Sequence, residues 1–185
     1  CWKTYVGRAE TDEARVMAMT QLGNGLSEAG RYEDALVVEE AELAMKRRLG
    51  ASEGDMLLVQ SNLAVTYEEL GRSEEALRMR RDVYSGYVRL HGEENRDTCQ
   101  VAENYALALI HLKRFEEAKS LLRKTIPVVR RVLGDNDGLT LRVRGVYAQA
   151  LYFDAEATLD DLREAVTTLG EIERTARRVL GSTHP

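Results

Sequence analysis

Three histidines and two cysteines are the side chains best suited to hold a metal or attack a substrate. His91, His111 and His184 are too few and too scattered for a metal site, and Cys1 and Cys99 lack ligand spacing. Gly23-Asn24-Gly25 does not continue as a phosphate-cradling glycine loop, and no strand precedes it. The acidic run Glu39, Glu40 and Glu42 reads as a solvated helix face. Tyr67, Tyr105 and Tyr147 occupy core-type positions rather than an aromatic binding box. Arg48, Arg89, Arg131 and Arg178 recur at steps of 41, 42 and 47 residues, often beside a second base (Arg47, Arg130, Arg177). Each closes a helix, where a cation complements the dipole by about 0.3–1 kcal/mol. Stacking would align them into a ridge able to meet an acidic partner or phosphate. No catalytic set, metal or cofactor is expected, and the chain reads as non-enzymatic.

Composition narrows the classes further. The chain is 44% hydrophobic and 31% charged, with 2 Pro, which is too apolar for disorder and too charged for a membrane protein. No apolar run approaches the roughly 20 residues of a bilayer span. A net charge of −5 lacks the electrostatic footprint of a nucleic-acid binder. Two cysteines cannot build a disulfide framework, which points to a reducing, cytoplasmic setting. The sequence opens at Cys1 and stops in mid-motif at Gly181-Ser182-Thr183-His184-Pro185, as a segment cut from a longer chain would.

The elements that must carry any site come from a repeat. Gly30-Arg31-Tyr32-Glu33-Asp34-Ala35-Leu36, Gly71-Arg72-Ser73-Glu74-Glu75-Ala76-Leu77 and Lys113-Arg114-Phe115-Glu116-Glu117-Ala118-Lys119 nearly superpose, with their alanines 41 and 42 residues apart. Two further markers keep the register. Gly50, Gly92 and Gly134 step by 42, with Gly181 following after 47. Ala64, Ala106 and Ala148 also step by 42. The last repeat therefore carries five extra residues, in the stretch 152–162.

Each repeat reads as helix, tight turn, helix, loop. Val59, Leu63, Val65, Tyr67 and Leu70 mark the apolar side of a half-buried first helix. Gly71 ends it in the left-handed conformation, Ser73 is the expected N-cap of the next, and Glu74-Glu75 suit the positive end of its dipole. Ala76 is small because the two helices approach closely there. The second helix runs about 16 residues, to Gly92. A lone hairpin cannot bury its apolar face, whereas stacked neighbours share a continuous core.

Asn62-Leu63-Ala64, Tyr67, Leu70-Gly71-Arg72 and Glu74-Glu75-Ala76 resemble the tetratricopeptide repeat superfamily, in its 42-residue kinesin light chain-like form. The inter-repeat loop of that form is matched by Leu180 to Pro185 and by the tails Asp97-Thr98 and Leu139-Thr140-Leu141. The resemblance implies an all-α fold, a right-handed α-solenoid of stacked antiparallel hairpins. Residues 1–11 would end a preceding helix, and the repeats would span 12–54, 55–96, 97–138 and 139–185. The fourth departs from the pattern, since Asp154-Ala155-Glu156-Ala157-Thr158 replaces its turn motif and puts its packing angle in question.

In such a solenoid the first helices line a concave groove. The residues that the resemblance places there are Asn24, Asn62, Val65, Glu69, Gln100, Asn104, Leu107, His111, Arg142 and Gln149. Asn62 and Asn104 sit 42 residues apart, in the slot whose amide holds an extended peptide backbone in the family. An amide offers donor and acceptor together, which suits a peptide bond of any sequence. Bonding only to the neighbouring helix is the alternative. Glu68, Glu69 and Glu103 outnumber Arg142, so a neutral or basic segment is favoured, with Val65, Leu107 and Ile110 as apolar anchors. The expected function is an adaptor or scaffold that binds a protein or peptide, with no nucleic acid or membrane partner. A ligand-sensing or autoinhibitory arm of a larger signalling protein is the alternative. Uncovered end faces would also favour end-to-end self-association.

Overall fold

A computed structural model describes residues 13–181, and the expectations for 1–11 and 182–185 lie outside them. The described residues form eight helices and no strand. They are α1 (Glu13–Glu28), α2 (Tyr32–Arg48), α3 (Glu53–Glu69), α4 (Ser73–His91), α5 (Arg96–His111), α6 (Phe115–Leu133), α7 (Gly138–Tyr152) and α8 (Leu159–Leu180). The chain groups into two compact units that divide within α4, between Gly86 and Tyr87.

In the first unit α1 packs on α2, α2 on α3, and α1 also on α3. Leu43, Val59 and Leu63 form its core, with Leu36, Met56, Tyr67 and Met79 against them. In the second unit α5, α6, α7 and α8 pack in sequence, and α5 also meets α7. Leu109, Leu122, Val129, Leu139, Val143 and Leu151 are its buried centre. Contact between neighbouring helices, plus contact between first helices one repeat apart, is what stacking hairpins requires. The fold is the all-α solenoid class that the periodicity implies.

Local chemistry explains the boundaries. The first helices of the second, third and fourth repeats are capped by side chains: Ser52 accepts from Asp55 N at 3.1 Å, Asn95 from Asp97 N at 2.7 Å and Asp137 from Leu139 N at 2.8 Å. Thr98 and Thr140, one period apart, donate to the carbonyls of Tyr87 and Val129 at 3.4 and 3.3 Å, tying each first helix to the helix before it.

The hairpin turns use a different device, and here one expectation is corrected. Ser73 is the first helical residue and not the N-cap; Ala76 N donates to Arg72 O at 3.1 Å, so the cap position falls on Arg72. Arg72 instead pairs with Glu75 three residues on, as Arg31 does with Asp34 and Arg114 with Glu117. The repeated arginine and acid of the turn motif are thus a local ion pair on an exposed edge. The preceding position is left-handed in all three turns, at φ 71° for Gly30, 73° for Gly71 and 58° for Lys113. In the last repeat the extra residues form the 153–158 loop. It is anchored by Lys119 Nζ to Asp154 at 2.8 Å, and a Thr158–Asp161 capping box starts α8.

Candidate peptide-binding site

Helices α1, α2 and α3 surround an open cleft of about 420 Å³ lined by Asn24, Ser27, Glu28, Tyr32, Glu39, Asn62, Val65 and Glu69. Four residues expected from sequence, Asn24, Asn62, Val65 and Glu69, are thereby brought together. Helix spacing explains it: Asn62, Val65 and Glu69 lie at i, i+3 and i+7, and so share one face of α3. Asn62 Nδ2 donates to Asn24 Oδ1 at 3.1 Å, across from α3 to α1. That bond uses one donor of Asn62 and leaves the Nδ2 of Asn24 and the Oδ1 of Asn62 at the cleft. Val65 is 41% exposed beside them.

The walls are acidic, and among the described residues no lysine or arginine lines the cleft. Glu69 raises the phenol of Tyr32 above its ordinary value through its charge, desolvation and a hydrogen bond between them. Burial raises the carboxyl of Glu39, with the hydrogen bond from Thr66 opposing and the charge of Glu42 adding to the rise.

Glu39 and Glu42 correct the reading of the acidic run as a solvated face. They are 2% and 1% exposed, and only Glu40 faces solvent. Glu39 Oε2 accepts from Thr66 Oγ1 at 2.8 Å, and Glu42 Oε1 accepts from Thr20 Oγ1 at 2.6 Å and pairs with Lys46 at 3.1 Å. Buried carboxylates need such partners, because an unpaired charge inside a protein is costly. The signal was present: Ala35, Glu39, Glu42 and Leu43 follow the i, i+4, i+7, i+8 pattern of one buried stripe. Tyr32 and Glu28 were not expected at the cleft either. Glu28 ends α1 and Tyr32 opens α2, on either side of the tight turn.

The remaining expected residues lie in the second unit. Gln100, Asn104, Leu107 and His111 lie on α5, and Arg142 and Gln149 on α7. Gln100 and Arg142 are joined, with Arg142 Nη2 donating to Gln100 Oε1 at 2.7 Å and Nε to Glu103 Oε1 at 3.1 Å. Gln100 Nε2 closes the ring on Glu103 Oε2 at 2.8 Å. The arginine expected to face a ligand is therefore already matched by a buried carboxylate. Asn104 and Leu107 are half-buried, and His111 and Gln149 are exposed. Ile110 is 8% exposed and packs in the core, so it is no anchor. Glu68 is also withdrawn from ligand contact, because Arg80 of α4 holds it with two hydrogen bonds.

Among the described residues no group of histidine, cysteine, aspartate and glutamate could hold a metal ion, and no helix is long and apolar enough to cross a membrane. Cys99 is buried and free, and burial raises its thiol.

A model of the tetratricopeptide repeat matches residues 55–128 and 97–157. No match was found among curated proteins. Among solved structures, kinesin light chain-type nearly identical TPR-like repeats from Podosopora anserina share 18% identity, covering 97% of this chain and 83% of that one, at a TM-score of 0.81. Their Q17M form gives 17%, 96%, 82% and 0.82. BtubC (BKLC) from P. vanneervenii gives 16% identity over 93% of this chain and 83% of its own, at 0.59. At these identities the likeness is one of fold.

Proposed function

This chain belongs to the tetratricopeptide repeat family, whose repeats are generally protein–protein interaction modules, and from that premise we propose that it is a non-catalytic adaptor or scaffold. The ligand is an extended peptide segment, neutral or basic, laid across α1 and α3. The observation that carries the reading is the Asn24–Asn62 pair, whose unspent amide donor and acceptor face an open cleft. A peptide bond offers the complementary pair, so backbone is held whatever its sequence. Val65 gives an apolar contact, and Glu28 and Glu69 favour a lysine or arginine on the visitor.

In the second unit the residues proposed for the ligand are Gln100, Asn104, Leu107, His111, Arg142 and Gln149. There the Gln100–Glu103–Arg142 ring leaves little net charge, which supports selection by shape and amide bonding rather than by a carboxylate clamp. Fluorescence anisotropy with matched peptides tests the polarity. A lysine-bearing peptide should bind about tenfold tighter than its glutamate counterpart at low salt, and the gap should narrow at high salt. Tighter binding of the acidic peptide would overturn the reading.

A further inference from the structure

A second open cleft, about 460 Å³, lies between the α6–α7 loop and the C-terminal half of α8. Arg130, Arg144, Arg174 and Arg178 line it, and Asp135 and Glu171 are its carboxylates. Arg130 Nε donates to Asp135 at 2.5 Å, and Arg144, 8% exposed, is held by Glu171. Arg178 reaches only a neutral amide, donating to Asn136 Oδ1 at 2.8 Å. Arg174 makes no ion pair among the described residues. Two guanidiniums are thus left without a matching charge, on a chain whose net charge is −5.

The repeat itself shows that this is a departure. One repeat earlier, Arg131 makes the contact equivalent to that of Arg178, but its partner is Glu94, at 2.5 Å. Glu94 precedes the N-cap Asn95 as Asn136 precedes the N-cap Asp137, so an acid at that register position has become an amide. Dipole complementation does not explain the cluster. Arg174 lies more than a turn before Leu180, the end of α8, beyond the reach of the terminal charge, and Arg144 sits in the middle of α7.

We propose that this cleft binds the phosphate of a phosphorylated serine or threonine on a partner protein. Such a monoester carries about −1.5 to −2 charges at neutral pH, which matches two free guanidiniums, whereas one carboxylate would leave one of them uncompensated. Guanidinium forks bind phosphate oxygens in bidentate fashion, and Thr175 adds a hydroxyl donor at the wall. The site shares no lining residue with the Asn24–Asn62 cleft.

The test is fluorescence anisotropy on the full chain with a labelled, end-capped Gly-Gly-phosphoserine-Gly-Gly peptide and its serine parent. Inorganic phosphate serves as competitor at matched ionic strength. The phosphopeptide should bind at least about tenfold tighter than the parent, and inorganic phosphate should displace it. Arg174→Gln and Arg178→Gln, both at exposed positions, should each remove about tenfold, with helix content unchanged. Asn62→Ala should leave this binding intact, which separates the failure of one site from the failure of the other. Equal binding of phosphoserine and serine, or indifference to both arginine variants, overturns the assignment. So does binding of inorganic phosphate with no gain for the phosphopeptide.

Discussion

Replacing Gly86 by alanine should separate the two ways in which a glycine can sit inside a helix. Gly86 is buried in α4, and a methyl group there would stand 2.7 Å from both methyls of Leu57 and 3.2 Å from its Cγ. Carbon contacts prefer about 3.5–4.0 Å, and Leu57 is 5% exposed, so it has little room to retreat. Overpacking of this kind costs about 1–3 kcal/mol, against about 1 kcal/mol gained from helix propensity. Gly25, in the middle of α1, is the control: it is exposed, and nothing lies within 4 Å of its added methyl. Gly25→Ala should stabilise by about 1 kcal/mol and Gly86→Ala should lose up to about 2 kcal/mol. In a chain of this size each kcal/mol moves Tm by about 2–4 °C, which thermal melts followed by circular dichroism resolve. Leu57→Val in the Gly86→Ala background should recover part of the loss. If Gly86→Ala stabilises as much as Gly25→Ala, the close approach of α3 and α4 is wrong.

Lys113 holds the left-handed position that glycine holds in the other two turns, so Lys113→Gly should raise stability, by up to about 1 kcal/mol in urea unfolding. A loss there would mean that the third turn is not strained. The carboxyl of Glu39 lies above its ordinary value of 4.5 in the fold, so the folded chain binds the extra proton and stability falls as pH rises through that raised value. Glu39→Gln keeps an acceptor for Thr66. It should match the parent near pH 4 and exceed it by on the order of 1 kcal/mol at pH 7; a Gln variant that is weaker at pH 7 contradicts the sign. On α8, Val166 and Leu169 are 72% and 49% exposed, whereas their counterparts on α6, Lys119 and Leu122, are 3% and 0% exposed beneath α7. Sedimentation should therefore detect concentration-dependent self-association, lost in Val166→Asp and Leu169→Asp. Association unaffected by both substitutions would move the contact off α8.

What the sequence made legible follows from the range of the interactions involved. The period, the turns and the first-helix faces are set within a few residues of one another, and so Gly71, Ala76 and the face of Asn62, Val65 and Glu69 were readable. Glu39 was misread because its partner Thr66 lies 27 residues away and belongs to another helix. A lone glutamate defaults to solvent unless its place on a buried stripe is weighed against its charge. The ion pair of Arg142 was hidden for the same reason, since its partner Glu103 lies 39 residues earlier. Ser73 missed by one residue because the Arg72–Glu75 pair, rather than a hydroxyl cap, opens α4. The arginine cleft beside α8 was visible only as a register of cations; which of them keep a partner depends on a single change from Glu94 to Asn136.

The side-chain amide groups of Asn24 and Asn62 can be followed directly by NMR while a lysine-bearing peptide is added. Both should shift together and saturate at one stoichiometric point, with the side-chain amide of Asn136 unmoved. Saturable peptide binding that leaves both asparagines where they were would remove the ligand from α1 and α3.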